Sequence, residues 1–138
     1  MDARVRMRKR TTISLLLAAA LAASCSERTP AKPDLPQSVS PGWTLKAYET
    51  SPPPPGLPAG STPECWKADY ASTGTAQIWI CGYRISGSAF DAVQRARAEA
   101  DTVKFQEGNY LVIAKWTGVA RADITALIRA VQKTLQPK

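Results

Sequence analysis

The sequence predicts an α+β domain, a small antiparallel sheet with two helices packed on one face in the order ββαββα, after an apolar N-terminal segment and a proline-rich tether. Three observations predict it. Residues 65–72 and 75–85 alternate apolar and polar side chains, the period of a half-buried strand. Residues 120–135 carry Ile124, Leu127, Ile128, Val131 and Leu135, an i, i+3, i+4, i+7, i+11 stripe that only a helix gathers on one side. Ten of the 11 prolines lie between Pro30 and Pro63, so regular structure begins in earnest after them.

Residues 1–10 are basic, with Arg4, Arg6, Arg8, Lys9 and Arg10 against Asp2 alone. Residues 11–23, TTISLLLAAALAA, form an apolar core of the length of a secretory signal, short for a bilayer span. The tract ends Leu21-Ala22-Ala23-Ser24-Cys25, small residues leading to a thiol. Residues 1–25 closely resemble the signal and lipobox of bacterial lipoprotein precursors, with Ala22 where that motif more often holds Leu. The resemblance implies residues 1–24 as a signal peptide cut after Ser24. It also implies a diacylglycerol thioether on Cys25 and further acylation of its amine, with palmitate as a typical chain. Lipid chains bind a membrane by about 0.8 kcal/mol per buried CH₂. Ser26, in place of Asp, goes with sorting outward, which implies an outer-membrane anchor facing the periplasm.

Residues 25–41 read as the lipidated Cys and a flexible tether, and 42–138 as one α+β domain. Within it, 42–63 is a proline-rich docking segment: Pro52–Pro55 favours polyproline II, and Trp43, Leu45 and Tyr48 suit an edge strand over 42–49. The core strands follow. A three-residue loop, Ser72-Thr73-Gly74 with Gly74 left-handed, pairs Trp66 with Ile80, Ala68 with Ile78 and Tyr70 with Ala76 on an apolar face. The other face then pairs Cys65 with Cys81, Lys67 with Trp79 and Asp69 with Gln77. A one-residue slip would mix the faces, so the pattern selects this register.

The first helix is expected to start at an N-cap Ser88, with Asp91 in capping-box position and Phe90, Val93, Ala96, Arg97 and Ala100 along it. Strands 103–106 and 110–116 should form a second hairpin around Gly108-Asn109. Tyr110–Trp116 is apolar nearly throughout, as a central strand covered on both faces is. Pro137 closes the last helix.

Cys65 and Cys81 form an even pair in a chain expected in an oxidising compartment, and the register sets them opposite each other, which reads as a disulfide. A redox pair would want CxxC spacing or a thiol-activating neighbour, and neither is present.

The remaining chemistry is sparse. The chain has no histidine, which removes His-dependent triads and His metal sites. No phosphate-loop, dinucleotide or EF-hand pattern occurs. Asp69, Asp91, Asp101 and Glu107 each fall where a carboxylate has an ordinary structural use. No enzyme activity, cofactor or metal is expected. The charge of +7 is concentrated in the leader: from Cys25 onward 13 basic residues face 10 acidic ones. With no basic stripe on the folded part, a nucleic-acid partner is not expected.

The stretch from Asp34 to Leu135 is similar to an uncharacterised family of small envelope lipoproteins. The residues that carry the likeness are Leu35-Pro36, Gly42-Trp43, Trp66-x-Ala68-x-Tyr70 with Thr73-Gly74, Ala89-Phe90, and Phe105-Gln106-x-Gly108-x-Tyr110-Leu111-Val112. The similarity implies a single domain and no particular mechanism. The expected role is a membrane-anchored, non-enzymatic interaction or accessory module. Its binding surface would be the open sheet face of Lys67, Trp79 and Tyr83, and its partners the membrane through Cys25 and an envelope protein. The alternative is a small-ligand or lipid-binding protein with a cavity between sheet and helices. The preferred structural reading of that face is that residues 42–63 fold back and cover it, using Trp43, Leu45 and Tyr48, with an open binding surface as the alternative.

Overall fold

A computed structural model describes residues 30–57, 62–97 and 99–137. The expected signal peptide and Cys25 lie outside the described residues.

The strands are β1 (Ser38–Val39), β2 (Trp43–Ser51), β3 (Glu64–Ala71) and β4 (Thr75–Gly82), then helix α1 (Ser86–Arg95), β5 (Thr102–Glu107), β6 (Tyr110–Thr117) and helix α2 (Arg121–Leu135). They form one curled antiparallel sheet of six strands in the spatial order β1-β2-β3-β4-β6-β5. The α+β class stands, but the expected ββαββα order and one-sided helices are corrected. Two strands precede the hairpin, so the order is ββββαββα. The helices lie on opposite faces. α2 packs on the side of Trp66, Ala68, Ile78, Ile80, Val112 and Ala114, while Ala89 and Ala92 of α1 pack with Cys65, Cys81, Tyr83 and Leu111. The cause is visible in the strands. β4 and β6 are apolar on both faces around Ile80-Cys81 and Leu111-Val112, and each face needs its own cover.

β3 and β4 pair in the register the hydrophobic pattern selects, Cys65 with Cys81 through Ala71 with Thr75. Gly74 is needed for a different reason than expected. It does not take a left-handed conformation; a Cβ there would collide with the carbonyl oxygen of Thr117 at the end of β6. Gly108, in the β5–β6 turn, does sit at φ 58°.

α1 starts two residues before the expected cap. Ile85 occupies the N-cap with no side-chain hydrogen bond, and the helix stops at Arg95. Its buried stripe is Ala89 and Ala92, continued by Ala96 beyond the helix, and Phe90 is 57 % exposed. Alanines let the helix lie close against the disulfide and Leu111, which a phenylalanine at the contact would prevent. α2 buries Ile124, Leu127, Val131 and Leu135, as its stripe requires.

The N-terminal segment departs furthest from its expected role. Residues 30–36, read as part of the flexible tether, lie as an extended strap on the α2 face. Leu35 joins the core there. Three tyrosine hydroxyls hold the strap by donating to its carbonyls: Tyr110 to Ala31 at 2.6 Å, Tyr48 to Pro33 at 2.7 Å and Tyr70 to Pro36 at 2.7 Å. Lys32 Nζ donates to the Tyr48 carbonyl at 3.0 Å and lies 4.3 Å from the Tyr48 ring centroid. Prolines leave the strap short of donors but keep its carbonyls free, so a phenol is an apt partner. Burial pushes the Tyr70 phenol up to about 12, and that of Tyr48 well above its ordinary value.

Candidate interaction surface

The Lys67–Trp79 face is built by strand alternation. Facing pairs across the sheet set Glu49, Lys67, Trp79, Ile113 and Lys104 in one row, and Asp69, Gln77, Lys115 and Thr102 in the next. At one end of this face lies the disulfide. The Cys65–Cys81 Cα atoms are 4.1 Å apart. β4 bonds to β6 through its odd-numbered residues, because Tyr83 N–H donates to the Asn109 carbonyl. Cys81 therefore points its backbone away from β3, and Cys65–Cys81 is a non-hydrogen-bonded pair, the closer kind and the one that suits a disulfide.

Of the three expected surface residues, the structure brings Lys67 and Trp79 together and withdraws Tyr83. Lys67 Nζ lies 5.6 Å from the Trp79 ring and 3.8 Å from Asp69 Oδ1. Tyr83 is 4 % exposed, packed with the disulfide, Ala89 and Leu111, and burial raises its phenol. It lies on the same face beyond the disulfide, covered by α1.

The cover of this face comes from within the expected segment 42–63, but from different residues of it. Trp43, Leu45 and Tyr48 all turn to the opposite side, where Trp43 is 1 % exposed and its Nε1–H donates to the Asp123 carbonyl at 2.9 Å. Residues 54–57 approach the Lys67–Trp79 face instead. Pro54, Pro55 and Gly56 form one wall of a recess of about 60 Å³ whose other walls include Trp79, Ile113 and Lys115. Arg97 and Glu99, after α1, stand at its rim, and Lys115 Nζ is 3.8 Å from Glu99. Ile113 and Lys115 were missed in the sequence, although they follow from β4 pairing with β6: Ile113 faces Trp79 and Lys115 faces Gln77.

No protein-family model, no curated protein and no solved structure matches this chain.

Elsewhere the carboxylates Asp91, Asp101 and Glu107 have separate surroundings. Asp91 pairs with Arg95 at 3.3 Å along α1, Asp101 sits at φ 51° leading into β5, and Glu107 accepts from Gln132 Nε2 at 3.3 Å. Among the described residues no three His, Cys, Asp or Glu side chains gather into a metal-binding group, and no helix is long and apolar enough to cross a membrane. The space between the sheet and α2 is filled by Trp43, Trp66, Tyr70, Ile78, Ile80 and Leu127. A larger concavity, about 690 Å³, is an open surface groove between the strap and the C-terminal half of α2, lined in part by Lys32, Asp34 and Lys133.

Proposed function

We propose that this chain is a lipid-anchored protein of the cell envelope whose domain is a non-enzymatic interaction module, docking a protein partner at the Trp79 recess. The observation that carries the docking site is the half-buried indole of Trp79 beside a small recess with charges of both signs at its edge. A recess of about 60 Å³ suits one side chain of a partner rather than a whole small ligand. Tryptophan in a partly desolvated pocket is the residue type that most often dominates protein–protein affinity. The anchor rests on residues 1–25 and their resemblance to a lipoprotein signal, with attachment at Cys25 and Ser26 favouring the outer membrane. A small-ligand reading would want an enclosed apolar cavity between sheet and helix, and that volume holds side chains.

Two measurements test the two halves. Cys25→Ala should move the protein from the membrane to the soluble fraction; a variant still membrane-bound overturns the anchor. Co-purification from native envelopes should recover a defined protein that is lost with Trp79→Ala while the fold persists. A partner retained at full yield by Trp79→Ala overturns the docking site.

A further inference from the structure

The two edges of the sheet are finished differently. At the β1–β2 edge, β1 covers Trp43 and Thr44, a bulge interrupts the ladder at Lys46, and Lys32 caps the Tyr48 carbonyl. Bulges, short edge strands and covering segments are the usual protections of a strand edge. β5, the other edge, has no bulge and no covering strand, and its edge lysine, Lys104, turns its ammonium back to the Ala96 carbonyl. Trp116 N–H donates to the Asp101 carbonyl, so the odd-numbered residues of β5 face β6 and the backbones of Thr102, Lys104 and Gln106 point outward. No described backbone group pairs with them.

Apolar side chains flank this edge on both faces. Val103 is 37 % exposed on the α2 side, beside the half-buried Phe105. On the other side α1 lies over β5 and β6, with Gln106 Nε2 donating to the Ser86 carbonyl and Lys104 Nζ to that of Ala96. Arg95 lines a depression with Pro55–Leu57, on the flank of α1 toward β4. Phe90 stands about 140° around the helix from Arg95, on the flank toward the β5 edge. Of the three large apolar side chains exposed among the described residues, Ile85, Phe90 and Val103, two therefore border β5.

We propose that β5 pairs antiparallel with β5 of a second copy of this chain, joining two sheets edge to edge about a two-fold axis. An axis perpendicular to the sheet keeps each face continuous and pairs only residues of the same face. Centred on Phe105, the register sets Phe105 against Phe105 of the second copy, Lys104 against Gln106, and Val103 against Glu107. Lys104 and Gln106 are the residues whose outward backbone groups then exchange hydrogen bonds, twice over by symmetry. No like charges meet, whereas centring on Lys104 would set two lysines face to face. The same symmetry brings the two α1 helices alongside each other on their Phe90 flanks. Such an isologous contact closes at two copies and leaves no free β5 edge. It is independent of the Trp79 reading.

The test uses the full chain in sedimentation equilibrium across a concentration range. Self-association to a dimer is expected, weakened about tenfold or more by Lys104→Pro, which deletes an outward N–H and spares the β6 ladder. A chain monomeric to millimolar concentration, or a dimer indifferent to a well-folded Lys104→Pro, overturns the proposal. Cysteine crosslinking decides independently of that variant's folding. Val103→Cys mixed with Glu107→Cys should form a mixed disulfide dimer that neither variant forms alone. Crosslinks through Cys25 would appear equally in the parent chain. No crosslink specific to the mixture overturns the register.

Discussion

The two faces of the sheet are held by different means. The α2 face is a core of large side chains: Trp43, Trp66, Tyr70, Ile78, Ile80 and Leu127 meet across it, and the strap closes its margin with Leu35. The α1 face has a small core of two cysteines, two alanines, Tyr83 and Leu111, and beyond it the strands carry Lys67, Asp69 and Lys115. Buried apolar area scales with side-chain size, so the α2 face supplies most of the hydrophobic stabilisation. The α1 face substitutes a covalent link for area. Trp79, on the same face, stays half-buried. Stability and accessibility are thus assigned to opposite sides of one sheet.

The largest effect should come from the α2 face. Leu127→Ala removes a fully buried side chain at the centre of the helix–sheet contact and should cost about 2–5 kcal/mol, read by urea denaturation. If it costs less than about 1 kcal/mol, the division of labour between the faces is wrong. Second is the disulfide. Replacing both Cys65 and Cys81 by Ala frees a loop with a sequence separation of 16 and should cost about 3 kcal/mol in the chain-entropy model. Unaltered stability would mean that α1 and Leu111 hold their face without the link.

How far these features were readable in advance depended on whether the sequence pattern had one solution. The β3–β4 register was readable because its two faces differ so sharply that one slip would put Asp69 opposite Ile78, and the disulfide followed from the same register. α2 was readable because its stripe is wide and unbroken. α1 was not: with Phe90 and Val93 beside Ala89, Ala92 and Ala96, helical periodicity admits two neighbouring faces, and only the closeness demanded by the disulfide and Leu111 chooses the alanines. The side of the sheet taken by each helix was hidden for a related reason, since β6 is apolar on both faces. The strap left the weakest trace of all. Its partners are backbone carbonyls, which every residue has, and three tyrosines at positions 48, 70 and 110 give no hint in the sequence that they share one segment.

The strap offers a third, smaller effect that separates polar latching from apolar burial on the α2 face. Tyr70→Phe keeps the ring and deletes one hydrogen bond to the Pro36 carbonyl, at a cost of about 1 kcal/mol. It should also alter the alkaline limb of the stability curve. The folded-state phenol titrates at about 12, above its ordinary value of 10.0 because it is buried. The unfolded chain therefore loses this proton first as pH rises. The stabilisation is whole below pH 10 and is lost as pH rises toward 12. Comparing denaturation curves of parent and Tyr70→Phe from pH 8 upward should show the parent falling more steeply above pH 10. Parallel curves would mean that the hydroxyl is no better shielded in the fold than in the unfolded chain.

The smallest effect should lie on the α1 face, at Lys67. Its ammonium is 3.8 Å from Asp69 and 5.6 Å from the Trp79 ring, and its side chain is 33 % exposed. An ion pair in that setting is screened by solvent and adds little to folding, so Lys67→Ala should change stability by no more than about 0.5 kcal/mol. The same substitution removes the cation that lies 5.6 Å from the indole ring lining the proposed docking recess. Measured together, an unchanged melting temperature and weakened recovery of the partner would separate the two faces cleanly, one holding the fold and the other meeting a partner. A loss of stability comparable to that of Leu127→Ala would instead make Lys67 and Trp79 part of the structural support, and the accessible indole a by-product of packing.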